Sequence, residues 1–557
     1  MANPSIASDV EALHASLASP NADGADALVR LRALRTRDPV AFDHAISQKL
    51  AAPAPASDAR SAGTAPPAAE KLDFPVECGV TWHTHECVRT LKPRWYCVPE
   101  SLADLKALVH TAVAKGRKVR AFGTGHSYSD VALCEDYFVD TSKLQAELKF
   151  PHFRAGVDTS ELVHVQAGMK LRNLNALLDS QGRAMINLGG FTGQSVIGAI
   201  STGTHGSGLD IGPFASLVVS LVIVTEKETL RIEGDNGPTD PHTWNEGGVD
   251  RLVQSDKVLN AVTVGLGAFG LIYSLVLKVR SAYLLEERRL LTKWSVVGPA
   301  LKSGAAFTNP KTGKPHRHLE VLVNPHPNKG DHTVLVTQRN EVKSAPKGSA
   351  TSRDFVSQLL TNSKLIQGSV IGVMNAFPHL IPGFFDSTME SWQVDSFVSK
   401  SFTVLSSDTP PNGFACENAV KMDGDRHVRG MEAIFAYAAK EVKANRRYLS
   451  MTAMRFVKAA PAHLSAAYDA DGIPSCYYEV ITPSGLAGAT ELFKGVSQDL
   501  MKLGSRPHWG LEFDVVHGRD QVRKMYPRLD DWMEVRRSFA PKGTFDNAFT
   551  DRIGVSM

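Results

Sequence analysis

Three glycine-rich stretches hold the residues best suited to chemistry. The first is RAFGTGHSYSD, Arg120–Asp130, where a short apolar run ends in Gly123-Thr124-Gly125 and is followed at once by His126 and Ser127. Two glycines one residue apart let the backbone bend sharply and approach a partner closely, because no Cβ intervenes. A histidine at such a point is either satisfied by the fold or directed at whatever the glycines admit. The second stretch, STGTHGSG, Ser201–Gly208, offers three glycines, two threonines and two serines. Its many N–H and hydroxyl groups form a nest suited to a pyrophosphate. The flanks SVIGAI and FASLVVS are too apolar for a mobile linker. His205 within it reads as a structural hydrogen-bonder. The third, VGLGAFG, spells GxGxxG with Gly265, Gly267 and Gly270 but runs into LIYSLVLKVR. That continuation alternates like a strand, whereas a Rossmann fingerprint must open a helix. The stretch is read as a tight turn between strands, close to a ligand.

Other chemistries are not indicated. There is no HExxH, Walker A, GxSxG or paired-cysteine pattern, and the histidines do not fall at ligand spacing, so no metal site is expected. Scattered Lys and Arg with a formal net charge of +3 do not form the basic stripe of a nucleic-acid binder. Six cysteines without a framework fit a reducing compartment, and the N-terminus lacks a basic region followed by an apolar core, so a cytoplasmic location is expected. The longest apolar segment, residues 365–385, is broken by Pro378 and Pro382 and contains His379. It reads as a buried helix plus a turn; the alternative is a helix lining a substrate entrance or touching a membrane surface.

The elements that must position these residues can be read around them. Residues 1–50 read as polar helix, and 51–70 as an Ala/Pro/Ser-rich linker. From Lys71 the pattern alternates. RWYCVP and KVRAF read as strands, and between them residues 102–113 place Leu102, Leu105, Leu108, Val109, Ala112 and Val113 on one helical face. Ser101 with Asp104 makes a capping box and Gly116 closes the helix. A second unit follows: LVHVQAGM as strand, LRNLNALLDSQG as helix, then a long glycine-rich return from Asn187 to Gly208. FASLVVSLVIVT and TLRIEG continue as strands. The chain exceeds one core's usual size. Its first half is α+β with glycine-rich turns opening from strands, an arrangement suited to a nucleotide cofactor.

Taken in order, GTGHSYSD, GGFTGQSVIGAISTGTHGSG, GLGAFGLI and RPHWG resemble the FAD-linked oxidases of the vanillyl-alcohol oxidase fold, in the aldonolactone and alditol oxidase branch. The closing run VRRSFAPKGTFDNAF, with Arg536, Gly543, Phe545 and Asn547, matches that branch too. The likeness runs from about residue 90 to the C-terminus. It implies an α+β, two-domain fold, with an FAD-binding domain over 71–285 and a substrate domain over 286–557. It implies that His126 anchors FAD covalently. By the same carry-over Gly123, Thr124, Gly125, Ser127, Ser195, Ser201, His205, Gly206, Ser207, Gly208 and Ile272 contact the cofactor.

In the substrate half the branch carries a Glu-x-Arg pair on one strand and a Lys soon after PHWG. Here LSMTAMRFVK keeps Arg455 but has Ala453 at the Glu position, and Leu511 with Glu512 follows RPHWG. The expected reaction is two-electron oxidation of a CH–OH group, with Arg455 and Ser201 binding the hydroxyl and dioxygen as acceptor, giving hydrogen peroxide. A base must come from Glu479, Tyr478 or His508. Tyr478 and Glu479 point to opposite faces of a strand, and Tyr478 is expected to line the pocket. The apolar replacements imply a substrate less sugar-like than the branch's usual lactones. The rivals are a dehydrogenase passing electrons to a cytochrome or quinone, and a flavin-binding partner protein without catalysis.

Overall fold

The computed structural model describes residues 4–17, 24–37, 72–85, 88–350, 371–408 and 413–557. Residues 51–70, read above as a linker, and residues 365–370 of the apolar segment lie outside the described residues.

The first unit carries its fold in local signals. The helix Leu102–Lys115 is capped by Ser101 in a full capping box with Asp104 and ends on Gly116 at φ 61°. It feeds the strand Val119–Phe122, which lies in a four-stranded sheet in parallel register with Tyr137–Asp140. A second sheet contains Leu162–Gln166, Val218–Val224, Thr229–Glu233 and Leu271–Ser281. Leu162–Gln166 is buried along its whole length instead of alternating, because both of its faces are covered. The VGLGAFG turn does lead into a strand, Leu271–Ser281. The glycine-rich return is not all loop: it contains the short helix Val196–Ser201, whose Ser195 side chain accepts from Gly198 N–H.

The chain changes sheets between Ser281 and Leu284. Beyond that point an eight-stranded antiparallel sheet runs Val394–Lys400, Leu284–Lys293, Thr333–Val342, His318–Val323, Thr452–Val457, Ser475–Pro483, Gly413–Lys421 and Arg506–Pro507. Helices Arg426–Asn445 and Ala489–Met501 cover one face with Met431, Ile434, Leu492 and Val496. From Trp509 onward the chain returns to the first unit, where Trp532, Phe549 and Ile553 join the core formed by Val163, Leu221 and Leu275. The C-terminal segment therefore belongs physically to the nucleotide-side core.

The N-terminal helices Pro4–Leu17 and Gly24–Arg37 pack through Ile6, Val10 and Leu31 against Ile381, Phe384 and Phe385 of the helix Ile381–Ser391. The described part of the apolar segment is thus helical over 371–376, turns at Pro378 and continues into the buried helix Ile381–Ser391. Among the described residues no helix is long and apolar enough to cross a membrane.

Candidate active site

A cavity of about 1100 Å³ opens where the glycine-rich turns converge. Gly123, Thr124, Gly125, His126 and Ser127 line it from one side; Ser195, Ser201, Thr202 and Thr204 line it from another. Leu266, Gly267, Gly270 and Ile272 close a third side. Two glycines are dictated by sterics. A Cβ on Gly123 would stand 1.8 Å from Ser195 Oγ, so only glycine lets the turn meet the helix start. Gly125 sits at φ 71°, and a Cβ there would meet the Trp82 ring at 2.8 Å. The walls are mostly backbone and small side chains, which suits a long, flat nucleotide approached closely on several sides. Asn547 fixes the following loop from the C-terminal segment, its Nδ2 donating to the carbonyls of Asp130, Val131 and Leu133.

His126 lies in this wall, stacked on His85 with centroids 4.2 Å apart and meeting Phe191 edge-on at 4.6 Å. Burial, with the positive potential of His85, Arg172 and Lys170, lowers its pKa to about 3. The ring is therefore neutral across the physiological range and keeps a free lone pair.

The remaining loop residues go elsewhere. His205, Gly206, Ser207 and Gly208 do not line the cavity; they dock the first unit onto the large sheet. His205 Nδ1 donates to Gly206 O at 2.7 Å, its Nε2 lies 3.1 Å from Glu417 Oε2, and its ring sits 3.7 Å from that of Tyr477. Both ring nitrogens face acceptors. Gly208 N–H donates to Phe456 O at 2.7 Å, and Ser207 O accepts from His318 Nδ1 at 2.8 Å.

That docking sets the charged face of the large sheet behind His508, which lines the cavity; Arg455, Glu479, Glu417 and Glu320 are not themselves among the lining residues. Arg455 stands at the centre of that face, with Nη1 2.5 Å from Glu479 Oε2, Nε 3.6 Å from Glu320 Oε1 and Nη1 4.0 Å from Glu417 Oε1. These carboxylates come from three different strands. Arg339 Nη1 reaches Glu320 at 3.0 Å and its Nε reaches Glu287 at 2.7 Å, extending the row across the sheet. Arg455 keeps 21 % of its side chain accessible and Glu320 25 %, so the row faces an opening and is not sealed. His508 bridges the two regions: it lines the cavity, and its backbone N–H donates to Glu417 O at 3.0 Å.

The carboxylates divide in character. Burial opposes the charge of Glu320, yet Arg339 and Arg455 hold it well below the usual carboxylate range. Burial is likewise overcome at Glu417, chiefly by His205. At Glu479 burial prevails over Arg455, and the Glu417 charge adds to it, so its pKa lies above the ordinary value. Burial pulls the His508 ring down to about 4, with Glu417 opposing, so it is neutral.

Ala453 is directly opposite Glu479 in the register of the two strands. The carboxylate that the sequence lacks at 453 thus reaches Arg455 from the neighbouring strand. Tyr478 departs from the expected pocket position. It points to the helix-covered face, buried in that core with its hydroxyl donating to His427 O. Leu511 lines the cavity, while Glu512 turns to Arg89 at 3.2 Å. Sequence reasoning missed Glu320, Glu417 and Phe191. Lone acids in the apolar strands HLEVLV and GFACENAVK were the available signal for the first two.

Comparison with known proteins accords with this geometry. Residues 93–232 match an FAD binding domain family, and residues 309–553 match the D-arabinono-1,4-lactone oxidase family. An L-gulono-1,4-lactone dehydrogenase of Mycobacterium tuberculosis is 24 % identical over 458 residues, covering 82 % of this chain and 94 % of the relative. An L-gulonolactone oxidase of Bos taurus is 24 % identical over 476 residues, 83 % of this chain and 95 % of the relative. A D-arabinono-1,4-lactone oxidase of Yarrowia lipolytica is 32 % identical over 197 residues, 35 % of this chain and 34 % of that protein. A solved cholesterol oxidase from B. sterolicum superposes with TM-score 0.69 at 14 % identity, over 89 % of this chain and all of that one.

Proposed function

We propose that the chain is an FAD-linked oxidoreductase of the vanillyl-alcohol oxidase fold, similar to the aldonolactone oxidases and dehydrogenases, and that it oxidises the CH–OH carbon of a lactone or a related, less polar hydroxy compound. The observation that supports this reading is the Arg455 guanidinium held beside a half-buried carboxyl of raised pKa, Glu479, on the sheet face that His205 and His508 join to the glycine-rich loops. The cavity's backbone walls fit FAD, and Gly123, Thr124, Gly125, Ser127, Ser195, Ser201 and Ile272 would hold it. When bound, the flavin supplies a two-electron acceptor for the hydride.

The chain's own residues do the rest. Arg455 binds the substrate hydroxyl, with Ser201 from the opposite wall, and stabilises negative charge as the proton departs. Glu479 takes that proton; a carboxyl lifted above its usual range is better matched to an alcohol proton near neutral pH. Apolar Leu511 and Phe191 exclude water and leave room for a substrate less polar than a sugar. Neutral His126 serves as the covalent anchor, its lone pair free to bond the flavin.

Two measurements test this. Anaerobic mixing with lactones, polyols and bulkier hydroxy compounds should bleach the flavin with at least one class; failure with all of them would favour a non-catalytic flavin carrier. Acid precipitation should leave the colour in the pellet, and His126→Ala should release it to the supernatant. The acceptor divides two readings, since relatives of similar identity carry both dehydrogenase and oxidase names. Stoichiometric peroxide in air supports the oxidase reading; turnover only with an artificial acceptor supports the dehydrogenase.

A further inference from the structure

Beneath the nucleotide cavity lies a group of buried charges that does not balance. Arg536 pairs with Asp546, and Arg552 with Asp130 at 2.5 Å. Arg120, 2 % exposed, has no carboxylate of its own among the described residues. Its Nη1 donates to Phe545 O at 2.7 Å, its Nη2 to the carbonyls of Val131 and Leu266, and its Nε has no hydrogen-bond partner among the described residues. The other charges nearby lie elsewhere: the Glu226 carboxylate accepts from the Lys542 and Thr544 N–H groups and acts on Arg536. Lys118 approaches Asp546 at 3.7 Å and adds positive charge, while burial keeps the Cys134 thiol neutral by raising its pKa to about 12. Of the three arginines, Arg120 alone has no carboxylate within ion-pair distance among the described residues.

A buried ion without a counter-charge is costly, and carbonyl dipoles offset that only in part. Arg120 is also a wall of the cavity, beside Leu266 and Gly267. Its guanidinium leaves no room on Gly267, where a Cβ would stand 3.0 Å from Nη2, and its acceptor Leu266 is held at φ 54°, unusual for a branched residue. A cation without an ion-pair partner and a strained turn thus meet in the wall of this cavity.

We propose that Arg120 is the buried counter-charge of the flavin cofactor's diphosphate, so that the charge balance of the first unit is completed only when the dinucleotide is bound. The inference rests on the FAD reading above and goes beyond it by giving Arg120 an electrostatic role. Its three carbonyl ties come from three separate segments: the loop after GTGHS, the GLGAFG turn and the C-terminal return. Neutralising one guanidinium thereby steadies all three.

The test uses the full chain carrying His126→Ala, in which the flavin is exchangeable, and measures dissociation constants for FAD and for riboflavin, which lacks the diphosphate. Arg120→Met should weaken FAD roughly tenfold to hundredfold, the usual cost of losing a charged hydrogen-bonding partner, and leave riboflavin unchanged. Equal weakening of both ligands, or no weakening of FAD, would overturn the proposal. Arg120→Lys keeps the charge and gives up most of the carbonyl ties, so it decides the matter should the methionine variant not fold. It should melt earlier yet hold FAD within about threefold of the parent. A folded lysine variant that loses FAD as the methionine variant is expected to would assign the role to the ties and refute the charge. Absence of any flavin binding by the His126→Ala parent would instead strike the cofactor reading itself.

Discussion

The nucleotide cavity and the charged face of the large sheet meet in one site but are built on opposite principles. The cavity is backbone and small side chains: its specificity is steric, and Gly123 exists because Ser195 Oγ occupies the place of its Cβ. The sheet face is long charged side chains from six strands, and its specificity is electrostatic, with Glu479 and Glu417 driven apart by burial and by His205. A cradle made of backbone tolerates almost no added atom. A charge cluster tolerates changes of shape but not of charge.

Changes on the charged face should therefore abolish chemistry while sparing the flavin. Glu479→Gln is expected to have the largest effect, lowering kcat by about 10²–10⁴-fold with flavin content unchanged. In the parent, activity should fall on acidification through a value above the ordinary 4.5, because the base must be unprotonated, and the variant should lose that limb. The stability effect has the opposite sense. A carboxyl raised in the folded state binds its proton more tightly than in the unfolded chain, so its stabilisation is present at low pH and is lost as pH rises past its raised pKa. Melting curves of parent and Glu479→Gln should converge in acid or favour the parent there, and diverge against the parent above it.

Arg455→Met should cost about 10²–10³-fold in kcat/KM, again with the cofactor retained. If flavin is lost in parallel, the separation between the two regions fails. Gly123→Ala probes the other side. Forcing a Cβ against Ser195 should destabilise the protein by about 1–3 kcal/mol, read as a lower denaturant midpoint, and yield a flavin-poor preparation. The smallest effect belongs to Tyr478→Phe. It removes one buried hydrogen bond to His427 O, costs about 1 kcal/mol, and leaves kcat where it was. A marked fall in kcat would return Tyr478 to the site.

How much of this the chain announces in one dimension differs between the regions in the same way. The GTGHS turn, the capping box at Ser101, the C-cap at Gly116 and the strand after GLGAFG are set by neighbours within a few residues, so composition and spacing reveal them. The short helix at Val196–Ser201 escaped notice because its glycine and serine content reads as loop, whereas the Ser195 cap and the packing of Val196, Ala199 and Ile200 make it helical. Ser201 lines the cavity, whereas His205, Gly206, Ser207 and Gly208 sit at the joint with the large sheet.

The sequence by itself determined the glycine-rich architecture, the helix and strand identities of the first unit and the family likeness, because each depends on contacts close along the chain. Only the tertiary structure decided which carboxylate serves Arg455. Glu320, Glu417 and Glu479 lie far apart in sequence, and it is antiparallel register that brings them to one guanidinium, placing Glu479 across from Ala453. It also decided that Tyr478 faces the helices and that Arg120 has no ion-pair partner among the described residues, since burial and charge balance are sums over neighbours that no local stretch contains.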